Sequence, residues 1–133
     1  MEFPVNKSNG EWARQLTPFE YAVLREAATE APFSGDLLDE ERAGQYSCKA
    51  CGHPLFESET KFEAHCGWPS FYETLEDGSV VLSEDRSIPG RPRTEVQCAN
   101  CGSHLGHVFD DAPQTPTGDR YCMNSVALQF KPE

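Results

Sequence analysis

Four of the six cysteines fall in two copies of one short pattern, Cys48-Lys49-Ala50-Cys51-Gly52-His53-Pro54-Leu55 and Cys98-Ala99-Asn100-Cys101-Gly102-Ser103-His104-Leu105. A Cys-x-x-Cys turn aims two sulfurs at one point, the glycine tolerates the turn, and a strand follows. Two such turns supply the four thiolates that zinc takes at about 2.3 Å in a tetrahedron. With four protein sulfurs no coordination position stays open, so the predicted metal is structural. The 46 residues between Cys51 and Cys98 exceed the roughly 15–20 of a compact zinc ribbon. The site should therefore clip together distant parts of a larger fold. Two redox-active pairs, or disulfides in an exported protein, are the competing readings of the same spacing.

A chain of 133 residues is long enough to bury a core as one domain, expected over residues 1–133. The net charge of −11 repels phosphate, which argues against nucleic acid and anionic membranes as partners. No apolar run approaches the roughly 20 residues that span a bilayer. Met1-Glu2-Phe3-Pro4-Val5-Asn6 lacks a basic region followed by an apolar stretch, so it does not read as a signal peptide. A cytoplasmic location is the expectation, and in that reducing setting Cys-x-x-Cys pairs are metal sites or redox centres more often than disulfides.

The pattern divides into a helical arm at about residues 8–30 and a β core at about 44–131. Ser8-Asn9-Gly10-Glu11 has capping-box spacing ahead of a short turn through Trp12 and Leu16. Thr17-Pro18-Phe19-Glu20 is a stronger start, with Thr as cap, Pro in the first turn and Glu reaching back. The helix it opens is predicted to run to about Ala28 and to bury Phe19, Ala22, Val23 and Ala27 as one stripe. From Gly44 onward, short runs around Tyr46, Leu55-Phe56, Phe62, Val80–Leu82, Thr94–Val96, Val108-Phe109 and Val126–Phe130 alternate with Gly/Pro turns, the signature of an antiparallel β core.

The remaining cysteines have distinct settings. On a strand through Arg120-Tyr121-Cys122-Met123-Asn124, residues two apart share a face, so Arg120, Cys122 and Asn124 point together. A free thiol of pKa about 8.5 is only about 3% ionised at pH 7, and a neighbouring guanidinium raises that fraction. Such a thiol is a nucleophile; the bland reading is a small buried hydrophobe. If the strand continued unbulged, Val126, Leu128 and Phe130 would carry the same face into a core. Cys66 lies in the Gly/Pro loop His65-Cys66-Gly67-Trp68-Pro69, where a second thiol can attack an oxidised first one or be inert. Trp68 is a core anchor or a wall against an apolar ligand. His104 and His107 can donate protons near neutral pH. Three apart on a regular strand they face opposite ways, and share a pocket only if the backbone bends, which Gly106 permits. Either histidine could instead be structural. Asp110-Asp111 reads as a solvated turn, with Asp111 able to orient a histidine, and His53 and His65 read as exposed.

Together, Cys-Gly-Trp-Pro-Ser-Phe at 66–71, Arg93-Thr94-Glu95-Val96, His-Leu-Gly-His-Val-Phe at 104–109 and Arg-Tyr-Cys-Met-Asn-Ser at 120–125 resemble the B-type methionine sulfoxide reductases. Trp12–Pro18 and Phe33-Ser34-Gly35 fit as well, so the resemblance runs from about residue 10 to 131. It implies a mainly β fold of two antiparallel, barrel-like sheets with short N-terminal helices and a structural zinc ion on Cys48, Cys51, Cys98 and Cys101. It implies reduction of methionine-R-sulfoxide, free or in proteins, with Cys122 as nucleophile and Cys66 closing a disulfide that thioredoxin reduces. It further implies that Trp68 and Phe109 line the substrate site, that His104, His107 and Asn124 position and protonate the sulfoxide oxygen, and that Arg120 supports the thiolate. A monomer is the simplest assembly. A zinc-ribbon-like binding module, with no use for Cys122, Arg120 and Asn124 together, is the reading from a different class; a general disulfide oxidoreductase working through one Cys-x-x-Cys pair is a third.

Overall fold

The computed structural model describes residues 3–133; the first two positions of the expected 1–133 domain lie outside the described residues. Among the described residues nine strands form two antiparallel sheets, and two short α-helices precede them. Helix α1 (Asn9–Gln15) and helix α2 (Pro18–Glu26) both open with a complete capping box, Ser8 with Glu11 and Thr17 with Glu20. Each box satisfies two N–H groups that the first helical turn leaves free.

The buried stripe of α2 differs from the expectation. Val23 and Leu24 are buried, whereas Phe19 is 53% exposed. Ala27, also expected inside, is exposed and ends the helix in the left-handed region at φ 58°. The helix is only nine residues long and docks by its 23–24 edge, so the start of the expected stripe stays in solvent.

The small sheet has the order β2 (Pro54–Glu57), β1 (Gly44–Cys48), β9 (Leu128–Pro132). The large one runs β3 (Lys61–Phe62), β4 (Ser70–Phe71), β8 (Arg120–Met123), β7 (His104–Phe109), β6 (Arg93–Cys98), β5 (Val80–Asp85). The core between them is aromatic: Phe56 of β2 stacks on Phe71 of β4 with centroids 4.3 Å apart, and Tyr46 of β1 meets Phe71 edge-on at 5.0 Å. The expected continuous strand through 126–130 is broken. Residues Ser125–Ala127 form a 3-10 turn, and the chain leaves the large sheet at Met123 to join the small sheet at Leu128. The alternation from Cys122 therefore stops at Asn124, and Val126 is only half-buried.

The two knuckles are hairpin turns of different sheets. The first joins β1 to β2 and the second joins β6 to β7. They are built alike: Gly52 and Gly102 donate to the carbonyls of Cys48 and Cys98 at 2.8 Å, both with φ near +80°. Cys48 and Cys98 in turn donate to His53 and Ser103 at 2.9 Å. In each hairpin the register then slips, Ser47 facing Pro54 and Gln97 facing His104, so that Leu55 and Leu105 are extra residues. Both leucines are fully buried. The repeat thus encodes a turn, a bulge and an inward leucine. The helices tie onto the same turns, Gln15 donating to the Ala50 carbonyl at 2.6 Å and Arg25 to the Cys101 carbonyl at 2.9 Å.

Candidate active site and metal centre

The sulfurs of Cys48, Cys51, Cys98 and Cys101 all lie within 4.8 Å of one another. The measured edges are 3.7 Å for Cys48–Cys101 and 3.6 Å for Cys51–Cys98. A tetrahedron with metal–sulfur bonds of about 2.3 Å has edges of about 3.8 Å, so the quartet is spaced to hold one metal ion. Because one knuckle belongs to each sheet, an ion there joins the sheets, as the long spacing implied. Asn100 donates to the sulfur of Cys51 at 3.3 Å, a bond that favours a thiolate.

The second sulfur site is built by the middle of the large sheet. Cys122 on β8 lies opposite Ser70 of β4 on one side and His107 of β7 on the other. The Cys66 loop folds over the end of β4 and brings its sulfur to 3.0 Å from that of Cys122. Cys66 sits between two left-handed residues, His65 at φ 56° and Gly67 at φ 93°. A Cβ at Gly67 would overlap Pro32, so only glycine lets the loop pack there. Trp68 is held by its indole N–H, which donates to the Glu30 carbonyl at 3.1 Å.

These groups surround a cavity of about 280 Å³. Cys66, Trp68, His107, Phe109, Arg120, Cys122 and Asn124 all line it. Arg120, Cys122 and Asn124 share a face as the strand period requires. His104 does not reach the wall. It is 4% exposed, sits behind His107 with ring centroids 5.4 Å apart, and bonds Glu95 through Nδ1 at 2.7 Å. The bulge in β7 falls at Leu105 rather than at Gly106. Gly106 serves close approach instead: a Cβ there would fall on the Cys122 carbonyl oxygen and on Met123.

Arg120 donates from Nη1 to the sulfur of Cys122 at 3.1 Å. Its other nitrogens bind both oxygens of Asp111 at 2.9 Å, and its guanidinium lies over the Phe109 ring at 4.4 Å. Asp111 therefore orients an arginine, not a histidine as the sequence allowed. The two close thiols share a charge. Hydrogen bonding from Cys122, then that from Ser70, holds Cys66 down at about 5 against burial. Donation to Cys66 and burial push Cys122 up, against the pull of Arg120. With the Cys66 sulfur withdrawn, its hydrogen bond and its negative charge no longer act on Cys122, and Arg120 then works on that thiol against burial alone.

His107 is held by Asp85 of β5, Nε2 to Oδ2 at 2.8 Å. Burial lowers the His107 pKa despite this partner. The backbone N–H of Ser87, then the His107 ring, keep Asp85 well below the carboxylate range. Asp85, an ionised carboxylate that can only accept, takes the Nε2–H of the His107 ring. Asn124 accepts from the Glu30 N–H at 3.0 Å and donates to the Leu105 carbonyl at 3.0 Å, leaving its second amide hydrogen available to the cavity it lines.

Sequence reasoning missed Asp85, Glu95, Ser70 and Glu30. Asp85 and Glu95 lie on strands β5 and β6, and Glu30 in a loop, where nothing in the neighbouring sequence separates them from solvated acids. The one available signal for Glu95 was its place in the Arg-Thr-Glu-Val motif. Glu30 is 2% exposed, and its backbone and carboxylate bond Trp68, Asn124 and Val126 together. Of the two histidines read as exposed, His65 is so and His53 is half-buried.

Comparison with known proteins bears on this geometry. Residues 16–132 match the SelR domain. The chain is 61% identical over 132 residues to peptide methionine sulfoxide reductase MsrB of Leifsonia xyli, covering 99% of this chain and 94% of that one. It is 50% identical over 133 residues to the MsrB of Leptospira interrogans, covering both chains completely. Among solved structures, the Mis18 "Yippee-like" domain is similar with a TM-score of 0.54 at 20% identity, covering 69% of this chain and 98% of that one, a likeness of fold alone. The SelR match and full-length relatives at 50% identity and above show that the chain belongs to the SelR-domain family of MsrB peptide methionine sulfoxide reductases.

Proposed function

We propose that this methionine sulfoxide reductase acts on the R epimer, through a sulfenic acid on Cys122 and a Cys66–Cys122 disulfide that thioredoxin reduces. The observation that carries the reading is the 3.0 Å approach of two sulfurs, one from a loop and one from strand β8, at one cavity wall. In this reading the methyl group packs against Trp68 and Phe109. The sulfoxide sulfur faces Cys122, and the oxygen faces His107 and the free amide hydrogen of Asn124. Fixing methyl and oxygen on opposite sides of the nucleophile selects one epimer.

With the Cys66 loop withdrawn, Arg120 favours the Cys122 thiolate. That thiolate attacks the sulfoxide sulfur, the oxygen gains a proton and passes to Cys122, and methionine leaves. His107 in its imidazolium form is the acid, and burial makes it a ready donor. Asp85 holds the ring through Nε2, and Glu95 and His104 support it from behind. The Cys66 thiolate then attacks the Cys122 sulfenic sulfur, forming the disulfide, and the displaced hydroxide takes a proton from solvent and leaves as water. Thioredoxin supplies two electrons and two protons to restore both thiols.

Zinc is the metal we assign to Cys48, Cys51, Cys98 and Cys101, where it supplies a redox-inert cross-link between the sheets. We read residues 1–133 as one catalytic domain, acting as a monomer in the cytoplasm, where a reducing environment favours Cys-x-x-Cys pairs as metal sites over disulfides. Among the described residues, no helix is long and apolar enough to cross a membrane.

Turnover of each sulfoxide epimer with thioredoxin tests the reading. The R epimer is expected to be reduced and the S epimer not. Cys122→Ser abolishes reduction, and Cys66→Ser allows one turnover but stops recycling by thioredoxin. Steady-state turnover by the Cys66 variant equal to wild type would remove that residue's role.

A further inference from the structure

We propose that a groove beside the catalytic cavity binds the peptide chain flanking the oxidised methionine and favours a basic side chain there over an acidic one. This rests on the functional reading above and adds to it a class of substrate. The groove has a volume of about 370 Å³ and shares Arg93 and Phe109 with the cavity that holds Cys122. A chain whose methionine side chain enters the cavity therefore passes over Phe109 directly into the groove. Its floor is apolar, from Leu82, Pro92 and Val108. Leu82 is 50% exposed on β5, the outer strand of the large sheet.

The acids around this surface divide into two kinds. Asp85 is committed to Arg93 and His107, and Asp111 to Arg120. Asp110 and Asp119 line the groove and have no cationic partner among the described residues. Two uncommitted carboxylates above an apolar floor, on a chain of net charge −11, match a lysine or arginine whose stem lies on Leu82 while its head meets an aspartate. A glutamate in the same place faces repulsion. Free methionine sulfoxide fills the cavity without reaching the groove, so it serves as an internal reference.

The test compares kcat/KM for two blocked peptides, identical except for Lys or Glu beside methionine-R-sulfoxide, and for the free amino acid, at low and high salt. The lysine peptide is expected to be favoured about fivefold at low salt, in line with exposed charge pairs, and less at high salt. Asp110→Asn with Asp119→Asn should bring the ratio within twofold and leave free sulfoxide turnover unchanged. Leu82→Asn, which removes apolar floor without adding charge, should lower kcat/KM for both peptides several-fold and spare the free amino acid. An unchanged lysine-to-glutamate ratio in the double variant, or equal losses on peptide and free substrate, overturns the proposal while leaving the catalytic reading intact. No turnover of free sulfoxide or either peptide by the wild-type protein would instead remove the catalytic reading on which the groove depends.

Discussion

Replacing Gly106 by alanine tests how closely the two strands carrying the reactive groups must lie. Gly106 pairs with Met123, next to the His107–Cys122 pair. A Cβ at 106 would fall on the Cys122 carbonyl oxygen and press on the Met123 Cα at 3.0 Å. Those atoms are main chain, so no side-chain rotation relieves the overlap, and β7 and β8 must separate. Overpacking of a core costs about 1–3 kcal/mol, and a backbone-on-backbone clash belongs at the upper end, about 3 kcal/mol. Gly78→Ala is the control. Its φ of +87° penalises any side chain, yet nothing lies within 4 Å of the added carbon, so it should lose only the left-handed cost of about 1–2 kcal/mol. Denaturant unfolding of the two variants and wild type, under identical metal conditions, reads the difference. Gly106→Ala should also lower kcat/KM more than tenfold at a temperature where it remains folded, because the separation moves His107 from Cys122. If Gly106→Ala is no less stable than Gly78→Ala and retains full activity, the close strand contact does not hold the site together.

Removing the metal with a chelator should destabilise the fold by more than any single core substitution, above about 5 kcal/mol, measured by thermal unfolding before and after readdition of zinc. Glu30→Gln keeps the shape of a buried residue but weakens the bond its side chain accepts from the Val126 N–H at 3.0 Å; it should cost about 1–2 kcal/mol in denaturant unfolding, and an unchanged midpoint would count against that bond as a tie between the loop and the 3-10 turn. Because burial lowers the His107 pKa, the folded state binds a proton there less readily than the unfolded chain. Its contribution to stability is complete above the ordinary histidine value of about 6.5 and is lost as pH falls through the folded pKa. Stability should therefore decline between pH 7 and 5 with a slope that His107→Gln removes, as followed by denaturant midpoints.

Much of the site is legible where the chemistry is local. The capping boxes at Ser8 and Thr17, the two knuckles and the shared face of Arg120, Cys122 and Asn124 each follow from spacing within a few residues. Features that depend on a partner far along the chain are not legible in that way. Asp85 is an unremarkable strand acid until β6 brings His107 within reach. Glu30 lies in a loop, and only the fold shows that it spans Trp68 and the 3-10 turn. The stripe on α2 misleads because a short helix can dock by an edge. The strand after Cys122 misleads because periodicity does not report a change of sheet, and Ser125–Ala127 carry no glycine or proline to mark it.

The paired knuckles link the metal centre to the catalytic geometry more closely than a remote staple would. In the second hairpin the turn at Cys98–Cys101 is followed immediately by the bulge at Leu105, and that bulge resets the phase of β7. Without the extra residue, residues three apart would point to opposite faces. With it, His104 and His107 lie together, one bonded to Glu95 and the other to Asp85. Fixing the cysteine turn fixes the register of the bulge, because Cys98 and Gly102 supply the hydrogen bonds that close it. Loss of the metal is therefore expected to disturb His107 before it disturbs Cys66, whose loop is held by Trp68 and Pro32 rather than by either knuckle. Comparing the pH dependence of turnover with the rate of Cys66–Cys122 disulfide formation, in protein partly depleted of metal but still folded, separates the two effects. A disulfide step slowed as much as the acid-dependent step would mean that the metal supports the whole site and not the strand register.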